Sequence, residues 1–274
     1  MPIITLTSDL GQDDYLVGAI KGQLLTIDDS FVISDISHTQ SAGNYPLAAY
    51  VCSNAFKYYP SNTFHVILVN LFENNNAEVL LAYHNGHYLA CANNGLLTMI
   101  TAEPPTKVVA VPVDLSKGIH TLTITATIAK AFKRVLQGES LEEIGTSSFT
   151  LNEKYPLRSA IGSDWMEGQI INIDRFQNVV INITKEEFDK HRQGRNFKIW
   201  FSRSESINVI SNNYASVGAG ELLAWFNSAG YLELAINKGK LAALFGLQGY
   251  ADGSRNPDIA RTQWLYTSVK ILFE

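Results

Sequence analysis

The sequence predicts an α/β domain with a largely parallel sheet, followed by a smaller all-β, barrel-like domain. Three observations predict it. Apolar strand-like runs alternate with helical segments through the first half of the chain. A stretch without periodicity follows Gly145. Beyond that stretch, short strand-like runs recur to the last residue. Alternating strands and helices imply a mainly parallel sheet, whereas closely spaced short strands imply a barrel or sandwich. Of the 274 residues, 46% are apolar and 17% charged, the balance of a well-cored globular chain.

The run "PIITLT" (Pro2–Thr7) is alternating and β-branched, so it reads as the first strand. In "YLVGAIKGQLLTI", Leu16, Ala19, Ile20, Leu24 and Ile27 share one stripe, the mark of an amphipathic helix. "VISDIS" (Val32–Ser37) reads as a strand, and Asn44–Tyr59 as a helix stopped by Pro60. "TFHVILVN" (Thr63–Asn70) is apolar enough for a strand buried on both faces. "AEVLLAYHNGHYLACAN" predicts a hairpin with Asn85-Gly86 in a type I′ turn. "NGLLTMI" starts a further helical turn, and Thr123–Gly138 reads as a helix closed by its glycine.

The segment "TSSFTLNEKYPLRSAIGSDW" carries Pro156, Gly162 and several hydroxyls, and reads as a linker or crossing segment. The runs "GQIINID", "NVVINIT", "NFKIWF", "INVISNN", "ELLAWFN", "YLELAIN" and "WLYTSVKILFE" then supply the β-domain. The division falls near residues 155–165, drawn as 1–158 and 159–274.

A net charge of −5 and a pI near 5.7, with no basic run, argue against a nucleic-acid partner. Cys52 and Cys91 read as small buried hydrophobes rather than a disulfide framework or metal ligands. The chain enters a strand at once and has no stretch long enough to span a bilayer, so a soluble, cytoplasmic protein is expected. His38, His65, His84, His87 and His191 show no metal spacing, and no metal or cofactor is expected. His84 and His87, flanking the turn, read as solvated rings. His38 reads as a structural hydrogen-bonding residue near the cleft.

Three aspartates crowd the turn after the first strand. Capping and the macrodipole account for Asp13 or Asp14 at a helix start. They do not account for Asp9, at the carboxyl end of the strand. In α/β folds ligands sit at that edge, where a carboxylate often grips a ribose diol.

Taken in order, "SDLGQDDYLVGAIKG", "SDISHT", "YYPSNTFHVILVN", "ANNGLLT", "GQIINIDRFQNVVINI" and "NSAGYLELAINKG" resemble the S-adenosyl-L-methionine hydroxide adenosyltransferases, relatives of the fluorinase and chlorinase enzymes. The resemblance implies an N-terminal α/β domain, a C-terminal β-barrel and a homotrimer with nucleoside sites at subunit interfaces. It also implies roles for particular residues. Asp9 matches the ribose-binding aspartate, and Asp14 a second aspartate that holds the loop or the ligand amine. Asn94 falls in the matching "ANNGLLT" stretch. Asp174 matches the partner of the methionine ammonium. Phe176 and Asn178 match the aromatic and amide that meet adenine, and Ser228 a hydroxyl near the methionine carboxylate.

The chain departs from the family where water is activated. The family pattern Val-Asp-Pro-Gly-Val-Gly, with an Arg shortly after, is here "VNLFENNNAE". Asn70 replaces the aspartate, and the arginine position falls near Ala77. The family segment Phe-His-Gly-Arg-Asp is here "IHTLTIT", which retains His120 alone. Asn70 is neutral and cannot take a proton, though it still hydrogen-bonds. His120 has an ordinary pKa close to working pH and is the surviving candidate base. Glu73, three residues after Asn70, is a candidate replacement carboxylate, although "ENNN" reads as a solvated loop tip. Halide chemistry is disfavoured because a bare anion needs a tailored set of donors. The expected function is hydrolysis of S-adenosyl-L-methionine to adenosine and L-methionine, with His120 as base and Asn70 orienting water. The alternative is an inactive binder of S-adenosyl-methionine or adenosine.

Overall fold

The structure is a computed structural model describing residues 1–73, 77–201, 205–245 and 268–274. Two compact units divide the chain, Met1–Pro156 and Leu157–Glu274.

The first unit contains strands β1 (Ile3–Ser8), β2 (Val32–Ser37), β3 (Phe64–Leu68), β4 (Glu78–His84), β5 (His87–Cys91) and β6 (Lys107–Pro112). Its helices are α1 (Leu16–Ile27), α2 (Tyr45–Phe56), α3 (Leu96–Thr101), α4 (Thr121–Leu136) and the short α5 (Leu141–Ile144). The sheet order is β2-β1-β3-β5-β4-β6. The first four strands in that order run parallel. β4 runs antiparallel to both β5 and β6, so the sheet is mixed but mostly parallel. Both faces are covered, as a parallel sheet requires. In β3, Phe64, Val66 and Leu68 join Leu24 of α1 and Phe132 of α4 in one core, while Ile67 joins Ala48 and Cys52 of α2 in the other. The whole of β3 is buried, which is why it reads as an unbroken apolar run.

Local chemistry sets the element ends. Asn85 and Gly86 both have positive φ, 48° and 82°, as the type I′ turn demands. Asn44 caps α2 by accepting from Leu47 N at 3.1 Å. The helix expected from Thr123 starts two residues earlier, at Thr121, and Thr123 Oγ1 accepts from His120 N at 3.0 Å. At the other end of α4, Gly138 takes φ 92°.

Several expectations need correction. β6 was not anticipated, because "KVVAVP" is short and bracketed by prolines. Pro112 is tolerated there because β6 is an edge strand. Neither Asp13 nor Asp14 caps α1. The cap position is Tyr15, with no side-chain cap bond, and Asp14 Oδ1 accepts from Tyr15 N at 2.6 Å. His84 is buried, with Nε2 2.9 Å from Asn85 Nδ2, and half-buried His87 lies 3.2 Å from His65 Nε2; neither is a solvated ring. The segment expected as a linker is stapled down. Asn93 Nδ2 donates to Thr150 O at 2.9 Å, Asn152 N donates to Asn93 Oδ1 at 2.8 Å, and Thr98 Oγ1 exchanges bonds with both backbone groups of Lys154.

The second unit contains β7 (Ala160–Ile161), β8 (Trp165–Ile173), β9 (Val179–Thr184), α6 (Lys185–Arg192), β10 (Phe197–Trp200), β11 (Ser206–Ile207), β12 (Leu222–Phe226), β13 (Tyr231–Ile236) and β14 (Ser268–Phe273). Among the described residues these strands form one antiparallel sheet in the order β11-β10-β14-β8-β9-β13-β12, with β7 beside β8. An isolated bridge between Ile210 and Ala224 brings the two edges together, so the sheet is nearly closed into a barrel. β8 serves two neighbours, pairing β14 with its first half and β9 with its second. Gly168 stands within that first half; a Cβ there would lie 2.5 Å from Ile181 Cγ2. Of "INVISNN" only the first residue is strand. The first four residues of "WLYTSVKILFE" lie outside the described residues. The unanticipated helix α6 opens on a capping box, with Thr184 N and Oγ1 both donating to Glu187 Oε2 at 2.9 Å.

His65 is fully buried, stacked on Phe56 at 3.6 Å between ring centroids. Burial first, then neighbouring His87, pushes its pKa down to about 3. The folded value lies below the unfolded one, so its contribution is complete above about pH 6.5 and is lost on acidification toward 3. We therefore expect Tm to fall as pH drops through that window, and His65→Gln to flatten the fall, as measured by thermal unfolding at successive pH values.

Candidate functional site

Because the parallel strands share a direction, the loops after β1, β2, β3, β5 and β6 emerge on one edge of the first unit's sheet. Asp9 leaves β1 there, held by its N–H to Leu68 O at 3.3 Å. Its Oδ2 accepts from Asn70 N at 2.8 Å, and Asn70 itself lies in the left-handed region at φ 49°. Burial raises the Asp9 carboxyl above its ordinary range, and the Asn70 N–H offsets this only in part.

From Asn70 a chain of polar contacts continues. Asn70 Nδ2 donates to Tyr45 Oη at 2.8 Å, and Tyr45 Oη donates to Glu73 Oε2. Lys154 Nζ lies 3.1 Å from Glu73 Oε1 and 4.3 Å from the centroid of the Tyr45 ring. Burial, then the Glu73 carboxylate, drives the Tyr45 hydroxyl well above its ordinary pKa. Glu73 is exposed, yet its carboxylate pairs with Tyr45 and Lys154; residues 74–76 of that loop lie outside the described residues.

Asn94 is buried, and its Nδ2 donates to Val69 O and Asn70 O, both at 3.0 Å, while Oδ1 accepts from Leu96 N. Its amide holds the end of β3 and so places Asn70. Gly95, at φ 92°, lets Lys154 cross, since a Cβ there would lie 2.5 Å from Lys154 Cγ. His38 is buried, with Nδ1 2.7 Å from Ser8 Oγ and Nε2 3.1 Å from Asp35. His120 lies on the same edge, exposed, at the N-terminus of α4, and Asp14 is exposed beside Tyr15. Among the described residues, no hydrogen bond or ion pair joins either side chain to the Asp9–Asn70–Tyr45–Glu73 chain.

In the second unit, Asp174 organises its own loop. Its Oδ1 accepts from Phe176 N and Asn178 N at 2.9 and 2.8 Å, and its Oδ2 accepts from Asn178 Nδ2 at 3.0 Å. That closed turn pushes Phe176 outward, 73% exposed, and keeps Asn178 buried. Phe176, Asn178, Tyr214 and Ile236 border a cavity of about 480 Å³. Behind it, Glu233 is buried and accepts from Tyr214 Oη and from Trp225 Nε1 at 3.0 Å. β9 and β13 are antiparallel, pairing Val179 with Leu234 and Thr184 with Tyr231. Asn227, beside Ser228 in the turn before β13, donates its Nδ2 to Glu233 Oε2 at 3.3 Å, and Tyr214 Oη accepts from Asn178 Nδ2 at 3.2 Å, so the Ser228 turn and the Asp174 loop share the Glu233–Tyr214 pair.

Sequence reasoning missed Tyr45, Lys154, Tyr214 and Glu233. Glu233 had a signal, as an acid inside the apolar strand "YLELAIN". Lys154 had none, since it lies in a segment without periodicity.

These features define a class of protein: an α/β unit and a β-barrel unit, each with a polar cluster built at the ends of its strands. Family models for the SAM hydroxide adenosyltransferase N-terminal and C-terminal domains match residues 4–145 and 168–252, and the chain belongs to that family. It is similar to an (R)-S-adenosyl-L-methionine hydrolase of Methanocaldococcus jannaschii, 26% identical over 249 residues, covering 85% of this chain and 88% of that protein. An (R)-S-adenosyl-L-methionine hydrolase of Salinispora tropica is 24% identical over 257 residues, covering 90% of this chain and 94% of that protein. Among solved structures, an uncharacterized conserved protein from Thermotoga maritima shares the fold, with a TM-score of 0.79 at 20% identity over 99% of this chain and 100% of that one.

Two stability outcomes follow. Gly95→Ala forces an L side chain into the left-handed region and displaces Lys154, so unfolding should cost about 1–2 kcal/mol less, read by denaturant titration. Asp9 has its folded carboxyl pKa raised, so ionising it lowers stability as pH climbs past about 4. Asp9→Asn keeps an acceptor for Asn70 N–H without that charge; its Tm at pH 7 should equal or exceed the parent's, and a clear drop would contradict the burial argument.

Proposed function

We propose that this protein binds S-adenosyl-L-methionine and hydrolyses it to adenosine and L-methionine, by attack of water on the ribose carbon attached to the sulfonium. The observation that carries this reading is the Asp9 carboxylate. It stands partly buried at the carboxyl edge of β1, with one oxygen fixed by Asn70 N–H, the arrangement that suits a carboxylate accepting from a vicinal diol. The cavity beside Phe176 and Asn178 suits an adenine ring, offering an aromatic face and a buried amide edge. Membership of the family and the names of two relatives support the same substrate. The homotrimer with nucleoside sites at subunit interfaces and the cytoplasmic location belong to this proposal too. No helix among the described residues is long and apolar enough to cross a membrane.

The test is chromatographic detection of adenosine and methionine after incubating the protein with S-adenosyl-L-methionine, with ligand affinity measured alongside by calorimetry. We expect both products in equal amounts. Asp9→Asn should weaken binding about 10–100-fold, the worth of a hydrogen bond to a charged group. Binding without product would leave only the inactive binder, and neither binding nor product would remove the reading altogether.

A further inference from the structure

Resting on the hydrolase reading, we propose that Tyr45 and Glu73 form the proton path for the attacking water, with Lys154 fixing Glu73, in place of the groups lost at positions 70 and 77. The geometry is that of an oriented relay. Asn70 Nδ2 donates to Tyr45 Oη, so the amide turns its nitrogen toward Tyr45 and its oxygen the other way. Tyr45 Oη donates onward to Glu73 Oε2, which leaves the phenol oxygen with a lone pair for a further donor. The Tyr45 ring is buried on α2, whose first residue it is, so the hydroxyl has little freedom to move. Lys154 is fixed in turn: Thr98 holds its backbone and its stem lies across Gly95. Its ammonium meets both Glu73 oxygens, at 3.1 and 3.4 Å.

The step balances as follows. A lone pair of the water oxygen forms the new bond to the ribose carbon, and the carbon–sulfur pair leaves on sulfur, turning the sulfonium into the neutral thioether of methionine. The water proton passes to Tyr45 Oη while the proton of Tyr45 passes to Glu73 Oε2. Adenosine leaves with its hydroxyl, and Glu73 then returns its proton to solvent. His120, exposed at the N-terminus of the sixteen-residue helix α4, is joined to the Asn70–Tyr45–Glu73 contacts by no hydrogen bond among the described residues.

The experiment is steady-state hydrolysis of S-adenosyl-L-methionine by the full chain and by Glu73→Gln, Tyr45→Phe, the double variant and His120→Ala, in H₂O and D₂O, with affinity by calorimetry. Glu73→Gln should lower kcat by about 10²-fold or more, the usual worth of acid–base help, with substrate affinity nearly unchanged. Tyr45→Phe should lose as much, and the double variant no more than either single one, because the two act as a unit. Asn70→Asp placed in the Glu73→Gln background should recover activity by returning a carboxylate to the other side of Tyr45. A solvent isotope effect on the parent that disappears in Glu73→Gln would mark proton movement and not mere packing. Undiminished kcat in Glu73→Gln, or a loss confined to His120→Ala, would overturn the relay while leaving hydrolysis standing. Absence of product from the parent despite binding would instead bring down the hydrolase reading, and the relay with it.

Discussion

The bond from Asn70 N–H to the Asp9 carboxylate is the constraint on which the first unit's polar edge depends. It ties the end of β3 to the end of β1, two parallel neighbours whose loops would otherwise part. Asn70 can make it only by entering the left-handed region, where asparagine is among the few side chains that settle readily. Once Asn70 is fixed, its amide points at Tyr45, and Tyr45 at Glu73. Asn94, in the loop after β5, reinforces the geometry by donating to the carbonyls of Val69 and Asn70. An asparagine at position 70 therefore gives up a charge yet keeps a directed donor. A neutral donor costs less to bury than an anion beside Asp9, whose own carboxyl already suffers from burial.

The second unit solves a comparable problem by a different route. Asp174 spends its carboxylate on the loop that follows β8, accepting from two backbone N–H groups and one side-chain amide. Such a closed turn fixes Phe176 and Asn178 with little conformational freedom left to lose on binding. The buried Glu233 performs the corresponding task for Tyr214 and Trp225, whose polar tips need a partner inside the barrel wall. In the second unit, then, a buried acid orients aromatic side chains that border a polar cluster, whereas in the first the acid on Tyr45 is exposed.

How much of this was legible in the sequence differs by element. The burial of β3, the stripe of α1 and the Asn85-Gly86 turn follow from local patterns, because each is decided by neighbours in the chain. The edge strand β6 was not, since six residues between prolines carry too little periodicity to compete with a loop. The staples holding residues 150–154 were not either. Asn93 and Thr98 reach across more than fifty positions, and no local rule reports such contacts.

The sequence by itself determined the order of α/β and β units, the family, and Asp9 as a carboxylate at a strand end. It also exposed the loss of an acid at position 70 and of an arginine near position 77. The tertiary structure alone decided what stands in the vacated chemistry. Tyr45 comes from a helix, Glu73 from a loop and Lys154 from a segment eighty-one residues further on. They meet because a parallel sheet delivers its loops to one edge, whatever their separation along the chain. It also decided that Asn227, next to Ser228, shares Glu233 with Tyr214, which in turn meets Asn178 of the Asp174 loop. Spacing in sequence carries neither result; direction and register of strands do.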